Sequence, residues 1–117
     1  MIGRLSSVVL DCPDPHALAR FYCEVLGVPI TGVDGGWVDI GDATTGRISF
    51  QHAPDHVPPR WPDPRHPQQI HLDIRVDDID EAEPKVLALG ATLLSATEPR
   101  FRVYADPAGH PFCLEWE

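Results

Sequence analysis

The sequence predicts an α+β fold made of two tandem βαβββ modules, their strands forming a curved mixed β-sheet with the two helices outside. Three observations predict it. The order strand, helix, three strands occurs twice along 117 residues. The two copies keep a nearly constant offset: Ser7 to His71, Asp14 to Asp78 and Ser49 to Cys113 are each 64 residues apart, and Gly27 to Gly90 is 63. An offset held across strands and helix marks a repeated module rather than a chance motif. Finally, the strand-like runs alternate between two side-chain sets, as half-buried strands do. One helix for four strands then places the helices on one side of the sheet and leaves the other side as a cup.

Each element has its own signals. "LSSVVLDC" reads as a strand closed by "PDP", where Asp14 suits a helix N-cap and Pro15 the first turn. In "HALARFYCEVLG", Leu18, Phe21, Tyr22 and Val25 recur at helical spacing, and Gly27 terminates the helix. "GGWVDIGD" and "GRISFQHA" alternate between glycine-bearing turns as a strand meander. The stretch from Ala53 to Gln69 holds Pro54, Pro58, Pro59, Pro62, Pro64 and Pro67, too many for a helix interior or a paired strand. It reads as a linker. The second copy runs through the strand "IHLDIRVDD", the helix "DEAEPKVLALGA" and the strands "ATLLSA", "FRVYAD" and "FCLEWE". Asp78 with Glu81 forms a capping-box pattern and Gly90 closes the helix, while Pro84 predicts a kink or a late start. The expected organisation is one domain over 1–117, with module 1 at about 1–53, the linker at about 54–69 and module 2 at about 70–117.

Composition narrows the function classes. With 43% apolar residues the chain can build one core. Nine basic against eighteen acidic residues give a net charge of −9, which repels nucleic-acid phosphates and anionic membranes. No nucleic-acid or membrane partner is expected. Cys12, Cys23 and Cys113 are odd in number and lack CxxC spacing, so neither a disulfide framework nor a zinc knuckle is indicated, and a cytoplasmic location is expected. The first residues lack the apolar run of a signal peptide or membrane span.

Alternation assigns the faces. In "IHLDIRV", Ile70, Leu72, Ile74 and Val76 point one way, and His71, Asp73 and Arg75 the other. Similar splits set Ser7 and Asp11 opposite Val8, Leu10 and Cys12, Ser49 and Gln51 opposite Ile48 and Phe50, and Trp37 and Asp39 opposite Val38 and Ile40. Near the C-terminus, Cys113 and Glu115 oppose Phe112, Leu114 and Trp116, and Arg102 and Tyr104 oppose Phe101, Val103 and Ala105. On a single strand such a polar set is ordinarily just solvated. Six strands repeating the split, with aromatic residues among the polar ones, point to a ligand pocket. Trp61, on the linker, is read as a lid over the cup or as packing for the linker itself. His52, His56 and His66 are spaced irregularly and are read as solvated loop residues, and His110 as a structural residue of the "DPAGHPF" turn.

"VVLDCPDPHALARFYCEVLG", "WPDPRHPQQIHLDIRVDDIDEAE" with "LALGA", and "YADPAGHPFCLEW" together resemble the glyoxalase-like proteins of the vicinal oxygen chelate superfamily, over nearly the whole chain. The resemblance implies paired βαβββ modules curled around a ligand or metal site, in a superfamily of lyases, epimerases, dioxygenases, transferases and metal-free drug-binding proteins. Fold therefore selects no reaction. In members similar to lactoylglutathione lyase the metal ligands come from the first and last strands of each module; here those positions carry Ser7, Ser49, His71 and Cys113. Two serines and a thiol suit a hard divalent ion poorly. A shifted set of His71, Gln51 and Glu115 is the alternative metal site.

The favoured expectation is binding, with or without transformation, of a small organic molecule in the cup. Ser7, Asp11, Trp37, Ser49, Gln51, Trp61, Asp73, Arg75, Arg102 and Tyr104 are the ligand-binding candidates, and Phe50 a weaker one because alternation turns it toward the helices. His71, Cys113 and Glu115 are the catalytic candidates, with His71 and Cys113 open either to a base and nucleophile pair or to simple burial of the thiol. The alternative is a lyase, isomerase or dioxygenase that uses one divalent ion. The resemblance also implies a homodimer.

Overall fold

A computed structural model describes all residues from Met1 to Glu117. It falls into two compact units, Met1–His56 and Val57–Glu117. Each contains a four-stranded mixed sheet and one helix, so the tandem βαβββ architecture holds.

The first unit runs β1 (Val8–Cys12), α1 (Pro15–Leu26), β2 (Ile30–Asp34), β3 (Trp37–Ile40) and β4 (Ile48–His52), with the sheet ordered β1-β4-β3-β2. β1 lies parallel to β4 and the remaining pairs are antiparallel. α1 begins as the sequence requires: the Asp14 carboxylate accepts the Ala17 N–H at 3.1 Å, and Pro15 occupies the first turn, where its missing N–H costs no bond. It ends at Gly27, whose φ of 67° is left-handed and whose N–H reaches the Cys23 carbonyl at 2.9 Å. Leu18, Ala19, Phe21 and Tyr22 form the buried stripe, and Tyr22 stacks on Phe50 with centroids 5.8 Å apart. Leu10, Cys12, Val38, Ile40 and Phe50 complete this core, so their face of the sheet is the one α1 covers. The β3–β4 connection is held tight by Gly41 at φ 68°, where a Cβ would run into the Gly46 carbonyl.

The second unit begins with the proline-rich segment, which folds back on itself through turns: the Arg60 N–H reaches the His66 carbonyl at 2.8 Å. Then follow β5 (Leu72–Arg75), α2 (Ile79–Ala88), β6 (Thr92–Ser95), β7 (Phe101–Ala105) and β8 (Pro111–Glu115), in the sheet order β5-β8-β7-β6. β5 is parallel to β8, as β1 is to β4. β5 is shorter than the run from Ile70 to Asp78 suggests, and His71 sits just before it. α2 starts directly after Asp78, whose carboxylate accepts the Asp80 N–H at 2.9 Å, and it runs through Pro84. The late start does not occur. Pro84 is the sixth helical residue, so only one backbone bond, that to the Asp80 carbonyl, is lost to its ring. The β7–β8 turn is built around Asp106, whose carboxylate accepts the Ala108 and His110 N–H groups, with Gly109 at φ 95°. His110 Nδ1 lies 2.9 Å from that carboxylate, as a structural histidine should.

The 64-residue offset is visible in the elements themselves. Val8 and Leu72 open β1 and β5, and Trp37 and Phe101 open β3 and β7, each pair at that spacing.

Candidate functional site

Strand register decides which side chains share a face. In the first unit Trp37 lies opposite Gln51 and Asp39 opposite Ser49 across β3–β4, and Val9 opposite Ser49 and Asp11 opposite Gln51 across β1–β4. These residues occupy the face turned away from α1. Alternation had predicted this grouping.

Three of them are wired together. The Trp37 indole Nε1–H donates to Asp39 Oδ1 at 2.8 Å, and the Ser49 hydroxyl makes a short bond to the same oxygen. Ser49 has thereby spent its proton, which leaves Ser7 to donate in the Ser7–Ser49 hydroxyl pair. Ser49 is fully buried, Trp37 and Asp39 half-buried, and Gln51 and Asp11 exposed. The result is an indole edge and a carboxylate fixed in place through its Oδ1. Alternation places Asp39 on this face, while its role as the shared acceptor of Trp37 and Ser49 has no signal in the sequence.

In the second unit, Asp73 lies opposite Cys113 and Arg75 opposite Glu115 across the parallel β5–β8 pair, while Val103 lies opposite Cys113 and Phe101 opposite Glu115. His71 Nε2 stands 3.1 Å from Asp73 Oδ1. His71, Asp73 and Cys113 each offer one ligand atom, and those atoms lie within 4.8 Å of one another. Arg75 is engaged by Glu115 at 3.4 Å and by Glu117 at 2.9 Å, so Glu115 faces a guanidinium. Burial, reinforced by the neighbouring Asp73 and Glu115 carboxylates, pushes the Cys113 thiol up to about 11. It is a protonated thiol at neutral pH, which does not suit the nucleophile role considered for it.

Arg102 and Tyr104 require correction. Tyr104 lies opposite Phe112 and Arg102 opposite Leu114, on the other face from Cys113 and Glu115. Tyr104 is fully buried and stacks on Phe112 with centroids 5.4 Å apart. Its hydroxyl donates to Glu83 Oε2 of α2 at 2.7 Å, and Arg102 donates to the same oxygen. Arg102 also lies over the Trp116 ring, 5.7 Å from its centroid. These two residues anchor α2 rather than line the polar face. Their polar character is answered by one carboxylate, that of Glu83, which the sequence reading did not single out. Trp61 is half-buried within the proline-rich segment.

The glyoxalase-like domain family model matches residues 7–115. The chain belongs to this family, and with it to the vicinal oxygen chelate superfamily. No curated protein sequence gives a significant match. Solved structures of the same fold include a glyoxalase/bleomycin resistance protein/dioxygenase family enzyme from Burkholderia phytofirmans, with a TM-score of 0.79 at 20% identity over 97% of this chain and 98% of that one. A glyoxalase-related enzyme from Fulvimarina pelagi has a TM-score of 0.70 at 18% identity, covering 99% and 89%. A possible glyoxalase from Bacillus cereus has a TM-score of 0.69 at 14% identity, covering 98% and 99%.

For this glyoxalase-like chain, the four positions that hold metal in lyase-like members carry Ser7, Ser49, His71 and Cys113. Ser7 and Ser49 are neutral hydroxyls already bonded to each other, with Ser49 committed to Asp39. They do not fit a divalent ion that prefers carboxylate or imidazole ligands. Of the shifted set, Glu115 is paired with Arg75, and Gln51 belongs to the first unit.

Proposed function

We propose that this chain binds a small organic molecule at the polar face of its sheets, and that the Trp37–Asp39–Ser49 group supplies the anchor. The observation carrying this reading is the fixed carboxylate beside an indole. Binding sites of this kind combine an aromatic wall with a few oriented polar groups. Asp39 accepts from two protein donors and, as a carboxylate, has acceptor sites left over. A hydroxyl or amine on the ligand would use them. The net charge of −9 further favours uncharged or basic molecules over anions. An odd number of cysteines without CxxC spacing suits a reducing compartment, so the proposed location is cytoplasmic, and the proposed assembly is a homodimer.

A thermal-shift screen with aromatic alcohols and amines tests this, run with and without chelator. The expected hits raise the melting temperature equally in both conditions and bind about tenfold or more weakly to Asp39→Asn, the loss of one charge-assisted hydrogen bond. Hits that need an added divalent ion, or none at all, would contradict it. The second reading, a divalent-metal-dependent lyase, isomerase or dioxygenase, draws on a separate observation, the grouping of His71, Asp73 and Cys113.

A further inference from the structure

We infer that Gly32 is the specificity-determining residue of the Asp39 anchor: its missing side chain keeps one side of the carboxylate open, and the ligand group admitted there is a compact hydrogen-bond donor, a primary ammonium. The inference rests on Asp39 as the anchor and adds which side of the carboxylate meets the ligand and what head group fits.

Gly32 stands directly opposite Asp39 across the antiparallel β2–β3 pair, and it gets there through a bulge. Ile30 lies opposite Ile40 and Gly32 opposite Asp39, so β2 uses two residues where β3 uses one, and Thr31 is the extra residue. The Thr31 hydroxyl donates to the Gly41 carbonyl at 2.8 Å, which pins the bulge. In a regular register Thr31 would face Asp39. The bulge puts a glycine there instead.

A Cβ added to Gly32 would lie 3.1 Å from Asp39 Oδ2 and 3.7 and 3.8 Å from the Asp39 Cβ and Cγ. So tight a contact requires the carboxylate to move, yet its Oδ1 is held by the Trp37 indole and the Ser49 hydroxyl. Gly32 does not adopt a left-handed φ, so what glycine supplies at this position is room and not backbone freedom. β2 is the last strand of its sheet, so a ligand that reaches Oδ2 over Gly32 meets no further strand of that sheet.

The second unit provides an internal control. β6 carries the same bulge: Leu93 lies opposite Tyr104 and Ser95 opposite Val103, with Leu94 as the extra residue. Tyr104 and Val103 are the 64-residue counterparts of Ile40 and Asp39. Where Val103 replaces the carboxylate, the bulge delivers a serine; where Asp39 is present, it delivers glycine. The bulge alone therefore does not call for glycine. The carboxylate beside it does.

Hydrogen-bond polarity sets the head group. The Trp37 N–H and the Ser49 hydroxyl spend their protons on Oδ1, and Ser7 spends its own on Ser49, so this group offers a ligand acceptors and no donors. An ammonium answers a carboxylate more strongly than a neutral hydroxyl does. N-methyl groups on it would refill the space that glycine leaves.

The test titrates 2-phenylethylamine into the full-length protein and follows the Trp37 indole N–H by NMR. Wild type should bind this amine more tightly than its N,N-dimethyl derivative. Gly32→Ala should weaken binding of the primary amine at least about tenfold, the loss of one charge-assisted hydrogen bond. Its melting temperature should stay level or rise, because alanine at a φ it can adopt restricts the unfolded chain. Ser95→Ala, at the counterpart position, should leave binding unchanged. Asp39→Asn separates the two ways of failing. Binding weakened in Asp39→Asn but undiminished in Gly32→Ala would overturn the role of Gly32 alone, whereas an amine that does not bind wild type, or binds Asp39→Asn equally well, would overturn the anchor and this inference with it. If Gly32→Ala does not fold, the two amines decide on wild type: equal affinity for the primary and the dimethylated head group would overturn the inference.

Discussion

Tyr104→Ala is expected to destabilise the protein by about 3–5 kcal/mol, the usual cost of deleting a fully buried aromatic ring. The ring is completely enclosed and stacked on Phe112, and its hydroxyl is one of the two donors to Glu83. Tyr104→Phe keeps the stack and removes one hydrogen bond, so its cost should be about 1 kcal/mol. Urea denaturation measures both. In either variant that stays folded, affinity for any ligand of the polar face should be unchanged. A Tyr104→Phe protein of normal stability but impaired ligand binding would return this residue to the pocket.

The same group predicts a pH response. Hydrogen bonds from Tyr104 and then Arg102 hold the Glu83 carboxyl below its ordinary value. A folded-state value below the unfolded one means that the native state binds its proton later. The associated stability is therefore present above the unfolded glutamate range and is lost as pH falls through the lowered folded value. Tyr104 is shifted up, mainly by burial and then by Glu83, so its contribution disappears as pH climbs above the ordinary tyrosine range. Glu83→Gln should flatten the acid limb.

Phe50→Ala is expected to cost a similar amount, about 3–5 kcal/mol, in the first unit. Phe50 is fully buried and stacks on Tyr22, so deleting it opens a cavity between α1 and β4 that neither element can readily fill. Phe50→Leu retains most of the volume and should cost less than about 1.5 kcal/mol. Calorimetry or denaturant titration separates the two. Loss of ligand binding without loss of stability in Phe50→Leu would place the ring on the polar face after all.

These two aromatic residues show what the sequence made legible. Phe50 alternates with Ser49 and Gln51, and that pattern alone turned it toward the helix, where it lies. Tyr104 and Arg102 depart from a division of β7 by polarity: in "FRVYA" the polar side chains are the ones that reach Glu83 of α2. The repeat contained the remedy. Across the 64-residue offset Arg102 matches Val38 and Tyr104 matches Ile40, both core residues, whereas Phe101 matches the polar-face Trp37. A tyrosine and an arginine can take inward positions because Glu83, nineteen residues before Arg102, answers both. No local pattern announces that partnership.

The site was legible to a similar degree. Strand alternation put Trp37, Asp39, Ser49, His71, Asp73 and Cys113 on polar faces, but contact depends on pairing between strands far apart in sequence. Only the parallel β5–β8 register brings Asp73 beside Cys113, 40 residues later. Likewise, spacing along the chain offers Asp73, two residues away on the same strand face, as a near partner for Arg75. The C-terminal glutamates, brought in by β8, take it instead.

The most direct test of the account is an NMR titration that follows the Trp37 indole N–H and the Arg102 guanidinium as a stabilising compound from the screen is added. The prediction is that the Trp37 indole resonance shifts on binding, together with the Asp39 and Ser49 signals, while Arg102 and the Tyr104 ring stay unmoved. A ligand that shifts Arg102 and Tyr104 and leaves Trp37 untouched would contradict the assignment of the binding face.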